Sequence, residues 1–360
     1  MTTIAFTGDI AFSGYFKDKY NDAILDEKII SFLKESDYTV ANVEGAITDI
    51  ESDEEFNHAN PSETISFLKS INANVWNLAN NHAFNNGVPG ILDTIENAKK
   101  NGARILGAGD MDEIRKPIIF GENEIGIVAV SFTGKVRDEE KNIGQISWDD
   151  PQLENIIANV KSKCKWCIVV AHGGEEFCTL PLRDTRKRYL NYLRYGADIV
   201  VAHHPHVVQN YEAVGDKIIF YSLGNFVFDT NYQRTQKHTE NGVVIKIEFG
   251  EDSFRWESLA LKIDRKMQKI MSIDNHDIFV NIDAKRYKKL YPLAAKSFGS
   301  NLQKKLEYLR NTKLSKRAVW EMRKRLIKRH GFVTMISEMG FYKIKKYDSK
   351  DPIVKYIKES

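Results

Sequence analysis

The chain has no run of about 18 uninterrupted apolar residues, the length that a spanning helix needs, so the sequence predicts no membrane span. Its first residues, Met1-Thr2-Thr3-Ile4-Ala5-Phe6-Thr7-Gly8-Asp9, lack the basic start and apolar stretch of a signal peptide and lead straight into a strand. Cysteine is scarce: Cys164, Cys167 and Cys178 are the three in 360 residues. So odd and sparse a set excludes a disulfide framework and predicts a reducing, cytoplasmic setting. Cys164 and Cys167 have C-x-x-C spacing, but Ile168-Val169-Val170 follows at once. A redox pair needs a strand–turn–helix setting, so they read as ordinary thiols at the start of a strand. The chain also lacks internal repeats, low-complexity runs, zinc fingers, RNP-like aromatic motifs and a helix-turn-helix pattern, which disfavours nucleic acid as a partner.

The apolar content, 42% hydrophobic and 11% aromatic, suffices for a large core in one big domain or two smaller ones. The net charge of +3 hides an asymmetry. Residues 281–360 hold 22 Lys+Arg against 7 Asp+Glu, a net of +15, leaving 30 against 42 and a net of −12 for residues 1–280. The densest basic stretch, residues 323–329, holds Arg323, Lys324, Arg325, Lys328 and Arg329 without an acidic residue. Such a tail suits anionic lipid at the inner membrane face, an anionic polymer, an acidic synthase partner, or the acidic body itself.

Strand-like and helix-like stretches alternate. Short strands are expected at 4–7, 38–43, 73–79 and 104–106, with helices at 22–34, 61–71 and 88–101. Residues 49–60 read as a long polar loop. A hairpin follows, with strands 117–120 and 125–131 turning at Glu122-Asn123-Glu124. Helices at 150–161 and 183–195 precede strands 165–171 and 197–202. Strands at 207–212, 217–222, 242–249 and 254–263 then complete a two-sheet α/β sandwich. Helices at 284–309 and 315–329 follow, so the domains are expected at 1–275 and 276–360, the second a basic helical extension.

Asp9, Glu44, Asn81, His82, His172, His204 and His206 all fall at or just after strand ends. Carboxylate, amide and imidazole groups gathered there suit one or two divalent ions such as Mn²⁺, Zn²⁺ or Fe²⁺. A bound ion lowers the pKa of its water and neutralises phosphoryl charge. A histidine outside its shell can serve as general acid. His204 and His206 flank Pro205, which favours extended backbone at His204, and in that geometry both rings share one side. Asn81 and His82 diverge, so one can ligate while the other meets substrate.

Six motifs carry a resemblance: Gly8-Asp9; Asn42-Val43-Glu44; Asn77-Leu78-Ala79-Asn80-Asn81-His82; Val170-Ala171-His172-Gly173-Gly174-Glu175-Glu176; His204-Pro205-His206-Val207-Val208-Gln209; and Tyr221-Ser222-Leu223-Gly224-Asn225-Phe226-Val227-Phe228-Asp229. Over residues 3–250 they resemble, in order, the motifs of the CapA (PgsA-type) family of capsule and poly-γ-glutamate synthesis proteins. The resemblance implies a calcineurin-like metallophosphoesterase β-sandwich flanked by helices. It implies metal ligation by Asp9, Glu44 (in the place of a bridging Asp), Asn81, His172, His204 and His206, with His82 and Asp9 as catalytic groups. Asn42, Glu176, His203 and Asn225 would line the pocket; Glu175 would shape it, and Asp229 reads as a loop residue. The wider superfamily's Asp-x-His carries Ala11 at its third position, its acidic residue after Asn-Asn-His is Asn85, and its Trp after the lone His is Gly173.

The reading favours a cytoplasmic metal-dependent phosphoester hydrolase of surface-polymer synthesis, acting on an anionic polymer or a phosphorylated small substrate. A non-catalytic polymer- or synthase-binding component is the first alternative. A metal-independent peptide epimerase, with Asp9 and a histidine exchanging a proton with Cα, is the second.

Overall fold

The first strand is buried on both faces because the second sheet packs against one and helices cover the other. The computed structural model describes residues 1–51, 58–121, 124–274 and 276–311. Strand Thr2–Gly14 pairs in parallel with Tyr38–Val43, which pairs with Ala73–Asn77 and then Arg104–Leu106. On its other side its first half meets Asn241–Phe249 antiparallel, followed by Phe254–Asp264 and Lys269–Ile273. Its second half meets Asn225–Asp229 in parallel. A second, six-stranded sheet runs Val208–Val214, Lys217–Leu223, Ile199–His203, Trp166–His172, Ile125–Ser131, Ile118–Phe120.

Side-chain alternation builds the layers. Ile168, Val170, Ile199 and Val201 point between the sheets, where they join Ile4, Phe6, Val40, Ile245 and Ile247. Val169, Ala171, Val200 and Ala202 face the other way, onto helices Leu153–Lys163 and Arg183–Tyr195. Glu27–Lys34, Thr64–Ser70 and Gly87–Lys100 cover the outer face of the first sheet. The result is a mixed α/β arrangement of two packed sheets between helical layers. Strands buried on both faces explain the near-continuous apolar runs.

Several elements differ from expectation. The first strand runs to Gly14 rather than residue 7, because its far half acquires Asn225–Asp229 as a partner. Asp229 is therefore a buried strand residue held by Arg234 and Arg265, not a loop residue. The helix expected at 22–34 splits, because the Asp26 side chain accepts from Lys28 N and starts a new helix at Glu27. A small sheet of Gly109–Asp110, Ile143–Gly144 and Val136–Asp138, and the strand Lys269–Ile273, carried no recognised pattern. The hairpin at Ile118–Phe120 and Ile125–Ser131 is antiparallel as expected, and residues 122 and 123 of its turn lie outside the described residues. So do the expected helix 315–329 and the basic stretch 323–329.

Cys164, Cys167 and Cys178 are buried free thiols, and burial pushes Cys167 up to about 12, which keeps it unreactive. Helix Ala284–Asn311 begins inside the region assigned to the extension, yet Tyr287, Tyr291, Ala294, Ala295 and Phe298 join the core beside Tyr189 and Leu190. Packing therefore continues past residue 275. Among the described residues, no helix is long and apolar enough to cross a membrane.

Candidate metal centre

Parallel strands of both sheets end at one rim, and their ends carry the polar groups. Asp9 sits where the first strand shifts register, opposite Asn42 on one side and Asn225 on the other. Asn77 Nδ2 donates to Asn42 Oδ1 at 2.7 Å, and Asn42 Nδ2 donates to Asp9 Oδ1 at 2.8 Å. This amide relay fixes the carboxylate and leaves Oδ2 toward the pocket. Glu44 follows Tyr38–Val43, and its backbone N–H donates to Ile10 O at 2.8 Å. Gly45 turns the chain at φ +96°, a value that glycine adopts without a Cβ penalty.

Two donor groups form, and Glu44 belongs to both. In one, His172 Nε2 lies 2.9 Å from Asn81 Oδ1, 3.1 Å from Glu44 Oε1 and 3.2 Å from His204 Nδ1. In the other, Asp9, Glu44 and His206 offer atoms all within 4.8 Å of one another. His206 Nδ1 is 3.1 Å from Asp9 Oδ2 and 3.1 Å from Asn225 Oδ1. Asp9, Glu44, His172, His204 and His206 are all buried.

The donors fit a divalent ion. Asp9 Oδ2 and both Glu44 carboxylate oxygens are buried without a hydrogen-bond donor. A single imidazole N–H cannot serve an amide oxygen, a carboxylate and a second imidazole together. Ligands at about 2.0–2.2 Å from one ion stand about 3.3–3.6 Å apart in tetrahedral geometry, slightly wider than the 2.9–3.2 Å spacings around His172. Ala11 is buried and brings no imidazole to the Asp9 group.

Electrostatics in the pocket pair the charges. Burial and the Asp9 charge push Glu44 up to about 8. Burial opposes a charged His206, but Glu44 and Asp9 outweigh it and raise it to about 9. Burial likewise opposes ionised Asp9, yet the His206 imidazole beside it, with the charges of His172 and His203, holds it below the usual carboxylate range. Burial, with neighbouring imidazoles, keeps His82 well below the ordinary histidine value.

The backbone of the final histidine pair departs from the extended form expected. His204 has φ +102° and His206 φ +57°. Tertiary bonds override the proline preference: Gly173 N donates to His203 O at 3.0 Å and Phe177 N to Pro205 O at 2.8 Å. Left-handed backbone at non-glycine residues is costly and marks a constrained site. It sends His204 to the His172 group and His206 to the Asp9 group. His203 points below the pocket, its Nε2 2.9 Å from Thr7 O, and is fully enclosed. Glu176 Oε1 reaches within 3.7 Å of His204 Nε2. Glu175 turns away from the pocket instead: it accepts from Leu182 N and Thr185 Oγ1 at the start of helix Arg183–Tyr195.

His82 stands apart from both donor groups. Its ring meets that of His58 edge-on, centroids 4.3 Å apart, and Asn85 Nδ2 lies 3.1 Å from its Nδ1. Sequence reasoning missed His58 and its partner Ser13, 3.2 Å from His58 Nδ1, because both sit in stretches without a motif. It also missed the aromatic wall. Phe228 lies 5.0 Å from both His58 and His206, Phe132 lies 4.7 Å from His204, and Phe177 lies 5.9 Å from His206.

Known proteins are similar to this chain over the stretch that carries the site. It is 33% identical over 246 residues to the PGA biosynthesis protein CapA of Bacillus subtilis (strain 168), covering 64% of each chain. It is 31% identical over 254 residues to the capsule biosynthesis protein CapA of Bacillus anthracis, covering 65% of this chain and 61% of that one. The match thus spans somewhat under two thirds of the length of these relatives. A hypothetical protein of Thermus thermophilus with a crystal structure shares 11% identity at a TM-score of 0.43, over 72% of this chain and 99% of that one. The family model described as bacterial capsule synthesis protein PGA_cap matches residues 3–230, a span that holds all the donors described above, and the chain belongs to that family.

Proposed function

We propose that this protein is a metal-dependent phosphoester-type hydrolase with a calcineurin-like metallophosphoesterase sandwich, serving synthesis of a capsular or poly-γ-glutamate-type surface polymer. One observation carries the chemistry: the Glu44 carboxylate, buried without a hydrogen-bond donor, joins two donor groups. Glu44, Asn81, His172 and His204 would hold one ion, and Asp9, Glu44 and His206 would hold a weaker second one, short of an imidazole at Ala11. Ions so held supply Lewis acidity toward a phosphoryl oxygen and lower the pKa of water.

The chain's own groups do the rest. The Asn77–Asn42–Asp9 relay keeps Asp9 aimed inward. Phe132, Phe177 and Phe228 limit water around the imidazoles, which strengthens every charge interaction there. His82 lies outside the donor groups, where its neutral ring N–H would hydrogen-bond to a substrate oxygen as charge develops there. The polymer role is supported by the family and by the relatives' names. The basic residues beyond 311 would carry the protein to an anionic polymer or membrane surface.

Elemental analysis of the purified chain tests this reading, together with turnover of bis(p-nitrophenyl) phosphate. The wild type should carry at least one ion per chain and turn over. His206→Ala should lose the weaker ion and most of the turnover. A metal-free, inactive wild type that takes up no added Mn²⁺ or Zn²⁺ would end it.

A second reading draws on the Asp9–His206 contact of 3.1 Å and on Ala11. A carboxylate and an imidazole so placed could exchange a proton with the Cα of a bound peptide without metal. Deuterium entering a peptide substrate from heavy water, undiminished by chelator, would favour it over hydrolysis.

A further inference from the structure

His58 reaches the pocket from residues 58–60, which contribute nothing to the donor groups, and the fold holds these residues firmly. Asn60 Oδ1 accepts from Phe12 N at 2.8 Å, while Asn60 Nδ2 donates to Glu44 O at 3.0 Å. Thr48 N donates to Asn60 O at 2.9 Å and Asn60 N to Ala46 O at 2.7 Å. The His58 carbonyl packs so closely on Gly45 that a Cβ there would lie 1.8 Å from it. The segment around His58 is thus fastened to the turn that carries Glu44 and to the strand that carries Asp9. Both His58 and His82 are partly exposed, above the buried donors.

The Asn85 amide selects a tautomer for His82, and a donating Ser13 hydroxyl gives His58 the same one. Ser13 Oγ stands 3.2 Å from His58 Nδ1, and a hydroxyl donating there leaves the ring proton on Nε2. The Asn85 amide nitrogen stands 3.1 Å from His82 Nδ1 and does the same. A carboxylate at position 85 would accept from Nδ1–H instead, so the amide changes which nitrogen of His82 carries the proton. Among the described residues His58 Nε2 has no hydrogen-bond partner.

We propose that His58 is a substrate-binding residue whose Nε2–H, beside that of His82, donates to an anionic phosphoryl oxygen of the substrate. Two neutral N–H donors on adjoining rings suit an acceptor-only oxygen, which takes more than one donor. The edge-on contact with His82 fixes their spacing, and Phe228 packs against His58 from the side of His206. The proposal rests on the hydrolase reading for the class of substrate, and His58 transfers no proton in it.

The test uses the full-length protein labelled with ¹⁵N-histidine and titrated with inorganic phosphate, with and without Zn²⁺, which is diamagnetic and so leaves the spectra sharp. Long-range ¹H–¹⁵N spectra should show the Nε2–H tautomer at His58 and His82, and both Nε2 signals should move together on titration. His58→Phe keeps a ring but no donor, and should weaken phosphate binding about tenfold. His58→Gln, which returns an N–H near Nε2, should recover most of that loss. Ser13→Ala should leave His58 as a mixture of tautomers. Ring signals indifferent to phosphate, or equal phosphate affinity in the wild type and His58→Phe, would overturn the proposal. The two readings fail separately. A wild type without metal or turnover whose His58 and His82 signals still follow phosphate loses the hydrolase reading alone. An active wild type matched by His58→Phe in KM and phosphate inhibition loses His58 alone.

Discussion

Glu44 Oε1 lies 3.1 Å from His172 Nε2, joining a carboxylate of one sheet to an imidazole of the other across the rim where both sheets end. The same carboxylate is grouped with Asp9 and His206. Glu44→Gln should therefore weaken both ions, by at least about tenfold each, since even partners outside a metal's ligand set cost that much. Asp9→Asn should weaken only the ion held with His206. Metal titration followed by calorimetry separates the two outcomes: one weakened step for Asp9→Asn, two for Glu44→Gln. A Glu44→Gln protein with wild-type stoichiometry and affinity would remove the carboxylate from both groups.

Asp9 sits inside its strand at a register shift. Most of the grouped side chains were legible because they fall at or just after strand ends, and the strands are apolar runs that are hard to mistake. Trp166–His172 and Ile199–His203 show this, although each runs one residue further than the pattern indicated. How two neighbouring histidines divide was not legible. His172 and His203 are register partners on adjacent strands, yet His172 enters a donor group while His203 bonds to Thr7 O. The turn at His204-Pro205-His206 depends on bonds from Gly173 and Phe177, which no local rule contains. His58 was invisible for a similar reason: an imidazole in a polar loop gains its place through tertiary contacts of Asn60 and Gly45 that no local rule contains.

The metal-free protein should be most stable near pH 6.5, about the ordinary histidine value. Folded Glu44 titrates at about 8 against 4.5 for its ordinary value, and folded His206 at about 9 against 6.5. Between the two values the folded chain holds a proton that the unfolded chain has lost, so stability present in acid is withdrawn as pH rises. His58 acts in the opposite sense, falling from 6.5 to about 4, and His82 and His203 are lowered too. Their contributions grow with pH and are complete above the ordinary histidine value of 6.5. Asp9 matters only below the usual carboxylate range. Above pH 6.5 Glu44 and His206 alone among these groups still change, so Tm of chelator-treated protein should fall between pH 6.5 and about 9. Glu44→Gln should flatten the lower part of that fall, and an unchanged slope in the variant would contradict the assignment.

Gly45→Ala should cost about 3 kcal/mol or more, because the new Cβ strikes the His58 backbone and the residue must hold left-handed φ. Gly215→Ala is the control: φ is +64° there but nothing lies within 4 Å, so only about 1–2 kcal/mol is expected. Urea denaturation gives both numbers. Equal losses would mean that the His58 segment yields easily and is not fastened to the Glu44 turn.

Where the chain is cut should decide whether it folds or merely fails to bind. Tyr287 packs under the Arg186 guanidinium, 4.4 Å from Cζ to its ring centroid, and its hydroxyl donates to Pro181 O at 3.0 Å. Arg186 in turn forms a buried pair with Glu212, to which Tyr221 also donates. Ending the chain at Asn275 removes Tyr287, Tyr291 and Phe298 from that core and leaves the pair more open to water. Burial of such side chains contributes about 1.5–3 kcal/mol each, so this truncation should cost most or all of a typical stability of about 5–15 kcal/mol. Ending it at Asn311 removes no core residue identified in the structure, yet it takes away 14 Lys+Arg and 5 Asp+Glu. That protein should keep cooperative thermal unfolding and metal binding. It should lose sedimentation with phosphatidylserine vesicles, binding that the full chain shows at low salt and loses as salt screens the charge. Vesicle binding by the 1–311 chain equal to that of the full chain would sink the docking role of the basic residues. A stable, metal-binding 1–275 chain would show that helix Ala284–Asn311 is dispensable to the core it contacts.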